Sequence, residues 1–188
     1  MSLKLSDCSD SDLAALAVAG RQAAFGELVR RHQAWVFRIV RNHIGDIEEA
    51  LDVTQGSFVA AFEALEQYDG DRMFRAWLAR IAINKCNDWH RRRAVRRIFT
   101  GALPLREASD VVDETPSADR VMTAERDLAR TIAAIAKLPS RLKEVLILRA
   151  IEGYSEAETA EILGVGQKAI ETRLYRARAR LTEVLGKK

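Results

Sequence analysis

Two arginine-rich amphipathic segments carry the residues of this chain whose types and spacing could do chemistry. The first is MFRAWLARIAINKCNDWHRRR, at 73–93, and the second is YSEAETAEILGVGQKAIETRLYRARARL, at 154–181. Each combines apolar residues at helical spacing with several arginines, the side chain best suited to grip phosphate. A helix can carry surplus cations for solubility alone, but so strong a one-sign excess on the helix that follows the turn of the second segment indicates contact with phosphate. The second segment therefore predicts DNA binding.

The second segment predicts a helix-turn-helix. Ser155 is placed to cap a first helix, and Gly164, Val165 and Gly166 form the turn. The residues expected to point inward are Ala157, Ala160, Ile162 and Leu163 on the first helix and Ile170, Leu174, Ala177 and Leu181 on the second. With Ile170 inward, the outward side of the second helix carries Lys168, Thr172, Tyr175 and Arg176. Those side chains are the ones expected to reach a DNA groove.

The rest of the chain predicts an all-α fold, because no stretch alternates branched and polar residues as a half-buried strand does. Ser9 or Ser11 is expected to cap a short first helix, and a second is expected over about 21–43. A third is expected over 46–65, and a fourth begins near Arg72. The expected inward residues are Ala50, Val53, Thr54, Phe58, Ala61, Phe62 and Leu65 on the third helix and Trp77 and Ile81 on the fourth.

Helical periodicity fades after Arg97 and returns near Leu128. Between them lie two prolines, a glycine and an acidic run from Glu107 to Asp119, a composition typical of linkers. We therefore predict two small helical domains, 9–97 and 121–186, joined by a flexible acidic linker over 98–120. A tether of about twenty residues spans roughly 25 Å as a random coil.

Other kinds of chemistry are not indicated. Cys8 and Cys86 form no CxxC motif, and His32, His43 and His90 lack metal-ligand spacing, so we expect no metal, disulfide, cofactor or catalytic site. There is no secretory h-region and no apolar run long enough to cross a bilayer. We therefore expect a cytoplasmic protein without membrane insertion.

Taken together, these motifs resemble those of bacterial sigma factors of the extracytoplasmic-function group, in the sigma-70 family. The resemblance covers the chain from Asp12 to Leu185. Its most specific part follows the pattern FRAWL-x-x-IA-x-N-x-x-x-D-x-x-RRR, here at 74–93. Its second part comprises Leu-Pro at 138–139, VLILR at 145–149, Gly-Tyr-Ser at 153–155 and the helix-turn-helix.

The resemblance implies that the first domain captures an opened strand of the minus-ten promoter element. The loop at 68–73 and Asn84 would receive an unstacked base, while the arginine run holds phosphates. Asn84 either reads that base or bonds to backbone, and Asp88 is expected to pair with Arg91 or Arg92. Tyr68 and Trp89 are either stacking platforms or packing residues. The full expected set is Tyr68, Asp69, Arg72, Asn84, Lys85, Asp88, Trp89, Arg91, Arg92 and Arg93.

The resemblance likewise implies that the second domain binds the minus-thirty-five duplex. The expected contacts are Gln167, Lys168, Glu171, Thr172, Arg173, Tyr175, Arg176 and Arg178. Arg176 is placed to grip a guanine in bidentate fashion. Glu171 is either a specificity element that accepts from cytosine or an intramolecular partner of Arg178.

The third helix carries a polar face that, from its residues alone, is a solvated surface. The resemblance implies that this face docks on a coiled coil of core RNA polymerase. The expected docking residues are Glu49, Asp52, Gln55 and Gly56. Gly56 and Leu51 stand where the family usually has acids.

The resemblance thus implies an alternative sigma factor without enzymatic activity. It would bind core RNA polymerase and both duplex and single-stranded promoter DNA, under the control of an anti-sigma factor. Two alternatives are a free-standing helix-turn-helix regulator that needs no polymerase and a decoy that titrates an anti-sigma factor.

Overall fold

The computed structural model describes residues 4–99 and 119–186. All regular structure in these residues is helical, which confirms the all-α prediction. The helices are α1 (Asp10–Val18), α2 (Gln22–Ile44), α3 (Ile47–Glu63), α4 (Phe74–Phe99), α5 (Asp119–Ala136), α6 (Ser140–Leu146), α7 (Glu156–Leu163) and α8 (Gln167–Gly186). Short 3-10 turns cover Leu5–Asp7 and Leu65–Gln67, and a π-helical turn, Ile147–Ile151, continues α6.

Helix ends follow local sequence signals. Ser9 and Asp12 form a capping box at the start of α1, so Ser9 is the cap of the two that were predicted. Gly45 ends α2 with φ of 90°, a left-handed conformation that suits glycine. Asp46 then opens α3 by accepting a hydrogen bond from the backbone N–H of Glu49 at 3.0 Å. The result is a tight α2–α3 corner.

Helix α2 is the centre of the first half and packs against α1, α3 and α4. The fully buried face of α4 carries Phe74, Leu78, Ala82 and Cys86. Trp77 and Ile81, predicted to be inward, lie only partly buried at the edge of that face. A helical stripe can be assigned with an error of one residue from spacing alone, since neighbouring positions differ by only 100°.

Two further inward predictions are wrong. Phe62 is half exposed, with its ring edge on Phe25 at a centroid distance of 5.0 Å, because α3 ends one residue later and leaves this side chain at the rim. Ala157 is exposed, and Thr159 is buried in its place on α7. Thr159 satisfies its hydroxyl by donating to Ser155 O at 2.8 Å, so a polar residue occupies an inward position without cost.

The second half contains the predicted helix-turn-helix. Ser155 and Glu158 form a capping box at the start of α7. Gly164 ends α7 in the left-handed conformation with φ of 64°, and α8 begins three residues later. The short turn fixes α8 across α7.

The two halves pack directly on each other. Most of their buried apolar residues form one cluster that spans both halves, while Val145, Ala160 and Ile170 form a second, smaller cluster. Helix α2 packs against α5 and the π-helical turn, and α4 packs against α7. Helix α4 extends to Phe99 and α5 begins at Asp119, so both ends of the predicted linker are helical. The remainder of that linker prediction, at 100–118, lies outside the described residues.

Candidate nucleic-acid interface

Helix α8 has one buried face and one exposed face. Ile170 and Ala177 are fully buried, and Leu174 and Leu181 are partly buried, as the stripe predicted. The opposite face is exposed and carries Lys168, Thr172, Tyr175 and Arg176. Tyr175, with 76% exposure, is a large aromatic that is not used in packing. This face combines donors and an aromatic ring on a rigid helix, as a major-groove reader requires.

The flanks of that face carry the remaining predicted contacts. Gln167, Glu171 and Arg178 are exposed, and Arg173 is partly buried toward α6. Within the described residues Glu171 makes no ion pair with Arg178, so the intramolecular alternative is not formed here. A carboxylate left free on this rim repels phosphate but can accept a hydrogen bond from an exposed cytosine amine.

Helix α4 presents a second polar surface on the other half of the molecule. Asn84, Arg91, Arg92 and Arg93 are exposed, and Lys85 is partly buried beside them. The side chain of Asn84 has no hydrogen-bond partner among the described residues, so its amide is available. Arg91 donates to the carboxylate of Asp88, which confirms the predicted pairing and neutralises that acid beside the arginine run.

The loop before α4 is held by Tyr68. Its hydroxyl donates to Arg72 O at 2.5 Å, and its ring lies 5.3 Å from that of Phe74 and 5.2 Å from that of Trp77. The carboxylate of Asp69 caps the turn by accepting from the backbone N–H of Asp71 at 3.1 Å. Tyr68 therefore packs in this structure and shapes the loop.

Trp89 also packs inside the first domain. Its Nε1 donates to Glu49 Oε2 at 2.6 Å, and the guanidinium of Arg93 lies over its ring, 5.0 Å from the centroid. Glu49 is thus engaged within the domain, which the interpretation of α3 as a freely solvated polar face did not anticipate. Spacing along one helix gives no information on a partner that arrives from another helix.

The outward face of α3 is more apolar than the sequence pattern indicated. Asp52 and Gln55 are exposed as predicted, and Gly56 is partly buried. Ile47, Leu51 and Val59, spaced at i, i+4 and i+12, are each at least half exposed on the same helix. A stripe of exposed large aliphatic residues is a mark of a protein–protein interaction surface. The i, i+4 spacing could have revealed it from the sequence.

Lys143 is a buried cation that the sequence analysis missed. Its side chain is among the largest fully buried ones, with 1% exposure. Its Nζ donates to His43 O at 2.8 Å and to Ala136 O at 2.7 Å, and it lies 3.3 Å from His90 Nε2. Burial lowers the pKa of Lys143 to about 8, because desolvation disfavours the ammonium. The sequence signal for this burial was its spacing. Lys143 lies three residues before Leu146 and four before Ile147, which places it on the core face of α6.

The two histidines beside Lys143 respond to the same environment. Burial lowers the pKa of His43 well below its usual value and also lowers that of His90, and the charge of Lys143 adds to both effects. Burial also raises the pKa of the Cys86 thiol to about 12. Within the described residues no group of three acidic, histidine or cysteine side chains is arranged to hold a metal ion.

Two protein-family models match this chain, one in each half. The family model for Sigma-70 region 2 matches residues 28–96, and that for Sigma-70, region 4 matches residues 128–181. These segments contain the α4 surface and the helix-turn-helix respectively. No helix in the described part of the chain is both long and apolar enough to cross a membrane.

Curated relatives are similar along almost the whole chain. The RNA polymerase sigma factor CnrH of Cupriavidus metallidurans is 41% identical over 180 residues, which cover 94% of each chain. NccH of Alcaligenes xylosoxydans xylosoxydans, also an RNA polymerase sigma factor, is 37% identical with 94% of each chain covered. The ECF RNA polymerase sigma factor SigM of Mycobacterium tuberculosis is 32% identical over 95% of this chain and 85% of its own.

Solved structures show the same fold. CnrH in complex with the cytosolic domain of CnrY aligns over 94% of this chain and 97% of its own, with a TM-score of 0.70 and 37% identity. The sigma factor RpoE of Bartonella quintana, in complex with the anti-sigma factor NepR, aligns over 87% of this chain and 98% of its own, with a TM-score of 0.70 and 21% identity. With both sigma regions matched and relatives similar over nearly their full length, this chain belongs to the extracytoplasmic-function group of the sigma-70 family and is an alternative sigma factor of RNA polymerase.

Proposed function

We propose that the two polar surfaces divide promoter recognition between the domains 9–97 and 121–186, with 98–120 as the connection. The observation that carries this proposal is the exposed face of α8, opposite a fully buried Ile170 and Ala177. The buried stripe fixes the rotation of the helix, so the side chains that face solvent are the ones that can enter a groove. Sigma factors are transcription initiation factors, and we expect this one to work without catalysis and in the cytoplasm.

Helix α8 would read the minus-thirty-five duplex. Lys168 and Thr172 lie near the helix start, where recognition helices contact base edges, and Arg176 follows one turn later. Arg176 is suited to a bidentate contact with guanine, worth about 1–3 kcal/mol of discrimination. Gln167, Arg173 and Arg178 would hold phosphates at the rim, and Glu171 would favour a cytosine partner.

Helix α4 would receive the opened minus-ten strand. Asn84 offers a free amide with both donors and acceptors, which suits the edge of an unpaired base. The exposed Arg92 and the partly buried Lys85 would contribute phosphate contacts, together with Arg91 and Arg93 beyond their present partners. Tyr68, Asp69 and Arg72 shape the loop beside them, and Trp89 supports the helix from behind.

Helix α3 would dock on core polymerase. Its outward face combines the aliphatic side chains of Ile47, Leu51 and Val59 with Asp52 and Gln55. Such a face suits an amphipathic helical partner, because apolar area supplies affinity while the polar groups fix the register. Glu49 and Gly56 would serve indirectly, Glu49 by anchoring Trp89 and Gly56 by allowing close approach.

Regulation by an anti-sigma factor is part of the same proposal. The solved relatives CnrH and RpoE are each described in complex with another protein, which for RpoE is named as an anti-sigma factor. CnrH is 37% identical in that alignment and is matched across both domains. We therefore expect this chain to bind a comparable inhibitory protein.

Run-off transcription tests the proposal. Core polymerase plus this chain should transcribe templates recovered from DNA that co-purifies with the complex. Asn84→Ala should lower transcripts from duplex templates but less from templates with a premelted minus-ten region. Arg176→Ala should lower initiation, whereas Arg180→Ala, an equal loss of charge on the same helix, should have a smaller effect. Absence of stimulation by the wild-type chain on every recovered template would reject the proposal.

A further inference from the structure

A hydroxyl group of α1 reaches the loop that precedes α4. Ser11 Oγ donates a hydrogen bond to Gly70 O at 3.0 Å. We propose that Ser11 is a positioning residue for minus-ten recognition, because its hydroxyl fixes the peptide plane that orients Asp69 and Arg72 toward the opened strand. The inference rests on the proposed capture of that strand by α4 and the adjoining loop.

The tip of this loop, residues 69–72, has few contacts that hold its shape. All four residues are exposed. A Cβ atom added to Gly70 would meet no heavy atom within 4 Å, so no side chain packs on the loop tip at this point. In the described part of the chain, the bond from Ser11 is the one hydrogen bond that reaches the loop tip from outside the loop at 68–73. The conformation of the loop tip therefore depends on a few polar contacts rather than on packing.

Ser11 and Asp69 hold one peptide unit from opposite sides. A trans peptide is planar, and its C=O and N–H point in opposite directions. In the unit that joins Gly70 to Asp71, the carbonyl accepts from Ser11 Oγ, and the N–H donates to Asp69 Oδ1 at 3.1 Å. Turning this plane over would break both hydrogen bonds. Ser11 thus anchors the plane to α1.

The residues on either side of this plane allow it to turn over when it is not held. Such a flip changes ψ of Gly70 and φ of Asp71. Glycine accepts a wide range of backbone angles, and aspartate adopts positive φ more readily than most residues do. The backbone itself therefore gives little preference for one orientation. The two hydrogen bonds decide which orientation is populated.

The orientation of the plane sets the side chains of Asp69 and Arg72. One carboxylate oxygen of Asp69 accepts from Asp71 N–H, and the other lies 3.5 Å from Arg72 Nε. The side chains of Asp69 and Arg72 are 57% and 63% exposed, so both remain accessible to DNA. If the plane turns over, the carboxylate loses its backbone partner and is free to rotate. The guanidinium that faces it then loses its fixed position as well.

Helix α1 is itself held firmly, as a positioning element must be. Asp10, the neighbour of Ser11, binds two side chains of α2. Its Oδ1 accepts from Arg31 Nη1 at 3.0 Å, and its Oδ2 lies 2.7 Å from His32 Nε2. Leu13, one turn away from Asp10, is fully buried. The hydroxyl of Ser11 is thus presented to the loop from a fixed point of the first domain.

Loss of this hydroxyl should affect orientation far more than stability. Gly70 is exposed, so water can replace Ser11 as the donor to its carbonyl, and the free energy of unfolding changes little. Water, however, can hydrogen-bond to the carbonyl in either orientation of the plane. The preference for one orientation is therefore lost although the fold is kept. This difference separates a positioning role from a structural one.

Amide relaxation of the free full-length chain tests the anchoring. Ser11→Thr and Ser11→Val form a matched pair, because the two new side chains have the same shape and only threonine keeps the hydroxyl. The order parameter of the Asp71 amide should be about 0.85 in the wild type and in Ser11→Thr, and should decrease below about 0.6 in Ser11→Val. Ser11→Ala, which removes the hydroxyl without adding atoms, should resemble Ser11→Val. Urea midpoints of all three variants should stay close to that of the wild type. An Asp71 amide that is equally ordered in Ser11→Thr and Ser11→Val would overturn the anchoring.

Run-off transcription with core polymerase measures the consequence for recognition. Each position of the minus-ten element is changed to the other three bases in turn on a template that the wild type transcribes. Ser11→Thr should keep the base preferences of the wild type. Ser11→Val and Ser11→Ala should lose about two- to tenfold of discrimination at one position, the effect expected from one neutral hydrogen bond. Preferences within the minus-thirty-five element should not change.

The outcomes separate the inference from the proposed function. An equal loss of transcription on every template, or Ser11→Thr that performs no better than Ser11→Val, would overturn the positioning role. Unchanged base preferences in Ser11→Ala would overturn it too. If the wild type fails to initiate on every recovered template, the proposed function is rejected. The relaxation measurement on the free chain still decides, in that case, whether Ser11 anchors the loop.

Discussion

Raising the pH from 7.5 to 9.0 should stabilise the folded chain through Lys143. The pKa of this lysine is lowered to about 8, from 10.5, because its ammonium is buried. A lysine with a lowered pKa binds fewer protons in the folded state than in the unfolded state at alkaline pH. Its contribution to stability is therefore constant below pH 8 and increases as the pH rises from 8 to 10.5.

The two pKa values give the size of the effect. Between pH 7.5 and 9.0 the free energy of unfolding should increase by about 1 kcal/mol through this one group, at 1.36 kcal/mol per unit of pKa difference. The thiol of Cys86 acts in the opposite direction, because its pKa is raised to about 12 and its contribution decreases above pH 9.0. Because the wild type and a variant of Lys143 both keep Cys86, the contribution of the thiol cancels when their stabilities are compared.

Urea unfolding of the wild type and of Lys143→Met at both pH values measures the difference. The stability advantage of the wild type over the variant should grow by about 1 kcal/mol between pH 7.5 and 9.0. Lys168→Met, at an exposed position on α8, should keep the pH dependence of the wild type. If Lys143→Met and the wild type change in parallel with pH, the ammonium of Lys143 is in contact with water in solution.

Three further outcomes follow from single side chains. Arg176→Ala should reduce discrimination at one position of the minus-thirty-five element by about 1–3 kcal/mol in binding assays of the polymerase complex, and a uniform loss across all sequences would make it a phosphate contact instead. Leu51→Asp should weaken pull-down of core polymerase and leave the urea midpoint within error, since Leu51 is half exposed; a stability loss above about 1 kcal/mol would place it in the core. Ser155→Ala should lower the free energy of unfolding by about 1 kcal/mol by removing a capping box, whereas Ser6→Ala, in the exposed first turn, should not change it.

The helices and their ends were predictable because the signals are local. Ser9, Asp46, Ser155 and Gly164 each act on backbone groups within four residues of themselves, and all four are found at helix ends. The outward face of α8 was predictable for a related reason, since Ile170 alone determines the rotation of the helix. Sequence patterns are sufficient to predict a contact when both of its residues lie on the same helix.

Contacts between elements were not predictable in the same way. Trp89 packs on Glu49, forty residues away, and Lys143 binds the carbonyl of His43, one hundred residues away. Either side chain, considered within its own helix, is as well suited to solvent or DNA as to these partners. The relative position of the helices decides which alternative holds, and that position depends on long-range packing rather than on helical spacing.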